Sequence, residues 1–133
     1  MSANAPLGAA MFHAALLMLM LVGLAIMVIH RRRSAGVGLG DGGNKALARA
    51  IRAHGNFTEY APFAIAGYIL LALGGVSAGF IHALGVVFIV GRVAHAAGLS
   101  QHEGASVGRA IGVAATMLVL IAAALRLLMG AFE

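Results

Sequence analysis

The fold and the candidate site both depend on residues 49–62, which read Arg49-Ala-Ile-Arg52-Ala-His54-Gly-Asn56-Phe-Thr-Glu59-Tyr60-Ala-Pro62. No other stretch of this apolar chain places two arginines, a histidine, an asparagine and a carboxylate so close together. Residues at i, i+3 and i+7 lie on one face of a helix, so the spacing predicts a polar stripe along roughly three helical turns. The members of this stripe are Arg49, Arg52, Asn56 and Glu59.

A polar stripe on a membrane helix has two interpretations. A charge that faces lipid at mid-bilayer costs about 2.5–3.5 kcal/mol, so such side chains must face the protein or a water-filled cleft. Ionisable residues inside a membrane are usually functional, which favours a binding site. The alternative is structural, with Arg52 and Glu59 paired to lock the bundle and Arg49 at the lipid headgroups.

The composition indicates an integral membrane protein. Of the 133 residues, 62% are hydrophobic and 10% are charged, whereas about 25% of residues are charged in a typical soluble domain. The chain has no cysteine, so any thiol chemistry must use a thiol that a substrate brings. The arginines behind the net charge of +5 lie at helix ends, which indicates orientation in a membrane and excludes a nucleic-acid partner. No metal site is predicted.

Four apolar segments predict a single membrane domain over residues 1–133. The first segment, residues 7–29, carries no formal charge and is long enough to cross a hydrocarbon core of about 30 Å. The other three are expected at about residues 45–73, 78–98 and 106–129. The second segment is longer than the core is thick, so its first turns must stand in the headgroups or in water.

The first connection is rich in glycine. Residues 34–43 read Ser-Ala-Gly-Val-Gly-Leu-Gly-Asp-Gly-Gly and precede Asn44, which is a predicted N-cap. A glycine-rich run before a helix can bind phosphate. This run follows no strand and lacks the Gly-Lys-Ser/Thr ending of a P-loop, so a flexible connector is the favoured interpretation.

The distribution of arginines predicts the orientation. Basic residues flank the connection at residues 30–44, whereas the turn at residues 74–77 carries none. Cytoplasmic connections are enriched in basic residues, so residues 30–44 are predicted to be cytoplasmic and both termini to lie outside. By alternation, the polar loop predicted at residues 99–105, with His102 and Glu103, is cytoplasmic as well.

With this topology, polar residues from all four helices reach one depth in the cytoplasmic half. Arg92 and His95 are one turn apart on the third segment and share a face, and Arg109 lies in the first turn of the fourth. Scattered structural pairs have no reason to share a depth, so the convergence predicts a site. The converging residues are Arg31, Arg52, Asn56, Glu59, Arg92, His95 and Arg109.

Two other features of the segments are interpreted as structural. His13, near the start of the first segment, is predicted to lie at the interface or to bond a neighbouring side chain. Gly85 and Gly91 leave small surfaces on the third segment, where another helix can approach closely.

Residues 52–62 resemble the second-helix signature of the MAPEG family, the membrane-associated proteins of eicosanoid and glutathione metabolism. The signature reads R-A-x-x-N-x-x-E-Y-x-P, and the sequence matches it at all six specified positions. The likeness continues upstream at residues 40–44 and downstream at residues 91–99, and it covers all four segments. The matching positions in the signature are Arg52, Ala53, Asn56, Glu59, Tyr60 and Pro62.

The resemblance implies a left-handed four-helix subunit that forms a homotrimer and holds glutathione between neighbouring subunits near the cytoplasmic face. It implies that Arg109 stabilises the glutathione thiolate, and that further residues bind the tripeptide. The expected function is a glutathione transferase or peroxidase of a bacterial inner membrane, acting on apolar small molecules that arrive from the membrane lipids. The expected binding residues are Arg52, Asn56, Glu59 and Tyr60, joined by His54, Arg31, Arg92 and His95.

The chain also departs from one branch of the family. In leukotriene C4 synthases two tyrosines of the third helix help to hold glutathione, and the matching positions here are His95 and Leu99. The loop before Arg109 also differs in length from those enzymes. Two alternatives therefore stay open, a non-catalytic lipid or ligand binder and a small structural subunit of a larger membrane complex.

Overall fold

The described part of the chain is entirely helical. The computed structural model describes residues 4–101 and 106–132, which form four α-helices and no strand. The predicted all-α bundle is therefore confirmed. The helices are α1 (Ala5–Ala35), α2 (Lys45–Leu73), α3 (Ala78–Gln101) and α4 (Val107–Gly130).

The α2 and α3 helices form the centre of the bundle. Each of them packs against the other three helices, whereas α1 and α4 share no contact within the described residues. Short connections make successive helices run in opposite directions, so α1 and α3 run one way and α2 and α4 the other. The side chains that fill the core come mostly from α2 and α3, and the largest are Tyr68, Phe88, Leu17, Leu47, Leu71 and Ile81.

The surface of the bundle is suited to a bilayer. By length and composition, α1, α3 and α4 could each cross a membrane. Large apolar side chains cover the outside, where a soluble protein would present charge, and examples are Met11, Leu19, Ile26, Val90, Leu118 and Leu125. The α2 helix contains 29 residues but carries the polar stripe in its first half, so its full crossing of the membrane stays a prediction.

The first helix continues beyond the predicted segment boundary at residue 29 and ends at Ala35. Its last turn carries Arg32 and Arg33, and cations there are stabilised by the negative end of the helix dipole. Arg32 also fastens the following loop to the end of α1, because its Nη1 donates to the Gly40 carbonyl at 2.8 Å. Gly36 then adopts the left-handed conformation with φ 65°, which is typical of a residue that terminates a helix.

The prediction that Asn44 caps the second helix is confirmed. The Asn44 side-chain oxygen accepts a hydrogen bond from the backbone N–H of Leu47 at 3.0 Å. This bond satisfies one of the unpaired N–H groups at the start of α2. The loop before it contains four glycines with positive φ, which is why glycine is abundant there, and these are Gly36, Gly40, Gly42 and Gly43.

The prediction of a loop at residues 99–105 is wrong for its first residues, because α3 continues to Gln101. Leu99 is only 5% exposed and continues the buried face of the helix. Gly98 lies so close to the start of α4 that a Cβ there would be 2.6 Å from Ser106 Oγ. His102 and Glu103 lie outside the described residues.

Small residues bring α3 and α4 into close contact, as predicted for Gly91. A Cβ on Gly91 would lie 2.7 Å from the Cβ of Ala115, and one on Gly112 would lie 2.5 Å from the Gly91 carbonyl oxygen. Side chains larger than hydrogen would push the helices apart at this point. The α4 backbone therefore lies directly against the polar face of α3.

Candidate functional site

A buried guanidinium, that of Arg92, joins three helices. Arg92 on α3 is 2% exposed. Its Nη1 donates to Asn56 Oδ1 on α2 at 2.6 Å, and its Nη2 donates to the Gly112 carbonyl on α4 at 2.7 Å. Hydrogen bonds from a charged donor are short and strong, so these two connect α2, α3 and α4 at one level.

The acceptor on α4 is available because residue 112 is a glycine. A Cβ on Gly112 would lie 2.5 Å from His95 Cβ, so only glycine lets α4 come within reach of Arg92. The same carbonyl also accepts from Thr116 Oγ1 at 2.8 Å, and Thr116 is fully buried. We call Arg92, Asn56, Gly112 and Thr116 the Arg92 cluster. Sequence reasoning missed Gly112 and Thr116, because a backbone acceptor leaves no signal in residue types beyond the glycine itself.

Two aromatic rings enclose the Arg92 guanidinium. The ring centroids of Tyr60 and Phe88 lie 5.7 Å and 5.8 Å from Arg92 Cζ, within the range of a cation–π interaction. Tyr60 is half-buried, whereas Phe88 is completely buried. Arg92 Nε is buried without a hydrogen-bond partner among the described residues.

The bond to Arg92 determines the orientation of the Asn56 amide. A guanidinium can only donate, so the Asn56 atom that faces it must be the carbonyl oxygen. The amide NH₂ of Asn56 therefore points elsewhere and presents two donors. The Arg92 cluster thus holds Asn56 in one defined orientation.

Arg52 and Glu59 form an ion pair on the outer side of α2. Arg52 Nη1 lies 3.1 Å from Glu59 Oε1, and the side chains are 60% and 48% exposed. Both residues belong to α2, so their bond cannot lock one helix of this chain to another. The predicted stripe therefore straddles two environments, with Asn56 buried and the Arg52–Glu59 pair accessible.

His95 and Arg109 lie where α3 meets the start of α4. His95 is 6% exposed, and it shares the buried face of α3 with Arg92, as predicted. Arg92, Arg109 and Arg52 all lie near enough to His95 to interact with it electrostatically. His95 and Arg109 line an open groove of about 500 Å³, together with Ser106, Ala110, Val113 and Ala114.

The remaining predicted residues are less closely grouped. Arg52 lines a second open groove of about 390 Å³, whose other walls include Asp41 and Gly55. Arg31 is exposed, and it lines a narrow cleft of about 60 Å³ between α1 and α2 with Arg49. His54 is half-buried on α2. The structure therefore unites Asn56 and Arg92 in direct contact, with Arg52, His95 and Arg109 in the wider neighbourhood.

This architecture, a four-helix membrane bundle with an arginine-rich polar level, is the one that the sequence resemblance implies. The sequence profile of the MAPEG family matches residues 10–129, and the chain belongs to this family. It is 34% identical over 109 residues to the inner membrane protein YecN of Escherichia coli strain K12, with 82% of each chain covered. The YecN protein of Escherichia coli O6:H1 strain CFT073 matches to the same extent. No solved structure gives a significant match.

Proposed function

We propose that this MAPEG protein binds glutathione and transfers it to apolar electrophiles, or uses it to reduce peroxides, in the bilayer. The observation that carries the proposal is the accessible Arg52–Glu59 pair on the same stripe of α2 as the buried, oriented amide of Asn56. A cation, an anion and an amide donor are then available within two turns of α2. These are the groups that a zwitterionic tripeptide requires.

The chemistry of glutathione fits this set of residues. The tripeptide carries two carboxylates and one amine, so it needs both a cationic and an anionic partner. Arg52 can hold a carboxylate through two parallel hydrogen bonds, and Glu59 can accept from the amine. An exposed ion pair contributes only about 0–1 kcal/mol to stability. Arg52 and Glu59 can therefore separate and pair with the charges of a ligand at little cost.

Arg92 is assigned a positioning role within this proposal. It is 2% exposed, and both of its Nη atoms are occupied by Asn56 and Gly112. It would therefore act on a ligand through Asn56, whose NH₂ it leaves pointing away from itself as a hydrogen-bond donor. The rings of Tyr60 and Phe88 lie beside it and limit the ways in which the guanidinium can move.

Arg109 is proposed as the group that activates the thiol. Bound glutathione would supply a thiol, whose thiolate form is the nucleophile. A cation next to the sulfur stabilises the thiolate and lowers the pH at which it forms. Arg109 is half-buried and lines an open groove, which is compatible with direct contact to a ligand.

The ligand is proposed to lie between subunits of a homotrimer. Sites for small molecules usually bury about 70–90% of the ligand surface. The grooves that contain Arg52 and Arg109 are open in a single chain, so a neighbouring copy would be needed to close them. Cross-linking in mild detergent should stop at three subunits, and a monomer or dimer in bilayers would remove the inter-subunit site.

The protein is proposed to lie in a bacterial inner membrane with this site near the cytoplasm. The relative YecN is an inner membrane protein. The basic residues at the end of α1 support a cytoplasmic first connection, because positive charge is enriched on that side. The electrophile would then enter from the lipid, which favours apolar compounds.

A glutathione titration of the purified protein tests the proposal. Millimolar glutathione should bind, and ultraviolet difference absorbance should detect thiolate well below the free thiol pKa of about 8.5. Absence of binding would contradict the cofactor assignment and favour a lipid binder or a structural subunit. Binding with thiolate only near pH 8.5 would leave a glutathione receptor without activation, and the role of Arg109 would be wrong.

Arg109→Ala separates activation from binding. Because Arg109 acts where negative charge gathers on sulfur, its loss should leave glutathione affinity nearly unchanged while lowering turnover at neutral pH. Turnover of the variant should recover as the pH is raised, since the thiol then ionises without help. An equal loss of affinity and turnover would assign Arg109 to binding instead.

A further inference from the structure

Two histidines meet at the end of the bundle opposite the candidate glutathione site. His13 on α1 and His82 on α3 are 69 residues apart in sequence, and His13 Nε2 lies 3.0 Å from His82 Nδ1. His82 precedes Arg92 on α3 by roughly 15 Å of helix. The predicted bonding of His13 to a neighbour is confirmed, but its partner was not foreseen.

The fold holds the His13 ring rigidly. His13 is 1% exposed, and Gly85 makes room for it, because a Cβ at residue 85 would overlap the imidazole. The ring of Phe12 stands edge-on to both histidines, with centroid distances of 5.2 Å to His13 and 6.0 Å to His82. Tyr68 closes the inner side, with its ring centroid 6.1 Å from that of His13.

His82, by contrast, is exposed and close to the start of its helix. The pair is therefore reached from the surface through His82, whereas the buried His13 ring is held in place. His13 Nδ1 has no hydrogen-bond partner among the described residues. With its proton on Nδ1, His13 has an unprotonated Nε2 that accepts the Nδ1–H of His82. A metal ion that replaced this hydrogen bond would require the His82 proton to sit on its own Nε2, which leaves one lone pair from each ring for the ion.

We propose that His13 and His82 form a site for one divalent transition-metal ion of the Zn²⁺ and Cu²⁺ type. Metal–nitrogen bonds of about 2.0–2.1 Å and angles between square-planar and tetrahedral place two ligating nitrogens roughly 2.9–3.4 Å apart. The observed 3.0 Å falls in this range, so a small rotation of the exposed His82 ring suffices to admit the ion.

Neutral imidazole is a suitable ligand for these ions, whereas Mg²⁺ and Ca²⁺ prefer oxygen. Among the described residues, no third histidine, cysteine or carboxylate joins the pair. The ion would therefore keep open positions for water or an external ligand on its exposed side. This site is independent of glutathione binding, since it lies at the other end of the bundle.

Zinc binding to metal-free, untagged protein tests the proposal. Titration of wild type with Zn²⁺ against a chromophoric chelator should show one ion per chain. His82→Ala should weaken this binding about tenfold or more, because one of only two protein ligands is lost. His82 is exposed, so the variant should fold normally. His30→Ala, which removes an exposed histidine from the other end of α1, is the matched control and should bind as wild type does.

A second measurement identifies the ligands directly. In the Cu²⁺-loaded protein, electron paramagnetic resonance should show coupling to two imidazole nitrogens in wild type and to one in His82→Ala. The proposal fails if wild type binds no stoichiometric Zn²⁺, or if His82→Ala binds it equally well. It also fails if His30→Ala weakens binding as much as His82→Ala does, since the ion would then be held by scattered surface histidines.

Discussion

Arg92 and Arg52 each bond an oxygen-bearing side chain of α2, yet they lie in opposite environments. Arg92 is 2% exposed and reaches Asn56 from another helix at 2.6 Å. Arg52 is 60% exposed and reaches Glu59 along its own helix at 3.1 Å. A buried charge that loses its partners is very costly, whereas an exposed pair can part and re-form. The Arg92 cluster is therefore suited to hold the bundle, and the Arg52–Glu59 pair to exchange partners with a ligand.

Asn56 links these two regions. Its oxygen belongs to the Arg92 cluster, while its amide NH₂ is left to point away from Arg92. A ligand that bonded both Arg52 and the Asn56 NH₂ would therefore be coupled, through Asn56, to the hydrogen bonds that join α2, α3 and α4. Experiments that separate stability from binding can test this division.

The largest expected effect is that of Arg92→Ala on stability. The variant loses two hydrogen bonds to a charged donor, each worth about 1.5–3 kcal/mol, so the free energy of unfolding should fall by about 3 kcal/mol or more. Unfolding in mixed micelles with increasing dodecyl sulfate measures it. Arg52→Ala is the control, with an expected loss below about 1 kcal/mol. Equal losses of unfolding free energy in the two variants would contradict the assignment of a structural role to Arg92 and not to Arg52.

Arg52→Ala should instead act on the ligand. Loss of a charged hydrogen-bond partner is expected to weaken glutathione binding by about 1.5–3 kcal/mol and to raise the Michaelis constant more than it lowers turnover. Calorimetric titration measures the affinity. Arg33→Ala, which removes another exposed arginine, should bind glutathione normally. A similar loss in both variants would indicate a general effect of positive charge and no specific contact.

Gly112→Ala tests whether the contact of α3 with α4 supports the Arg92 cluster. The new Cβ would lie 2.5 Å from the Gly91 carbonyl and from His95 Cβ, and such overpacking costs about 1–3 kcal/mol. The unfolding assay should show this loss. Gly23→Ala introduces the same methyl group where no atom lies within 4 Å, and it should not destabilise the protein. Tolerance of Gly112→Ala would mean that the helices can separate without loss.

Asn56→Asp has the smallest expected effect on free energy, but it separates the structural role of Asn56 from its proposed role in binding. Aspartate keeps an oxygen acceptor for Arg92, so stability should stay close to that of wild type. It removes the amide donors and adds negative charge, so glutathione affinity should fall about tenfold, or about 1.4 kcal/mol. If the variant unfolds easily but binds normally, Asn56 belongs to the structural region alone.

Much of the fold could be predicted from the sequence. Segment lengths and apolar composition identified the helices, and Asn44 identified the start of α2, because both signals are local. The end of α3 was predicted too early, since the polar residues after Leu99 suggested a loop. Burial of Leu99 and the contact of Gly98 with α4 instead favour a longer helix.

The site could be predicted only in part. The spacing on α2 placed Arg52, Asn56 and Glu59 on one stripe, but it could not tell that Asn56 is buried while the other two stay accessible. Helical periodicity gives the angles between residues on one helix. It contains no information about which neighbour lies opposite, and that neighbour decides burial.

The sequence by itself determined that this is an α-helical membrane protein of the MAPEG family, with its polar residues concentrated at the end of α1, on α2 and towards the ends of α3 and α4. Composition and periodicity suffice for this, since they reflect the solvent that each face must meet. Only the tertiary structure decided that Arg92 bonds the backbone of Gly112 and that His13 meets His82. Both contacts join residues far apart in the chain, and both depend on glycines that let two helices approach closely. Such contacts arise from packing between helices, which no local pattern of residue types records.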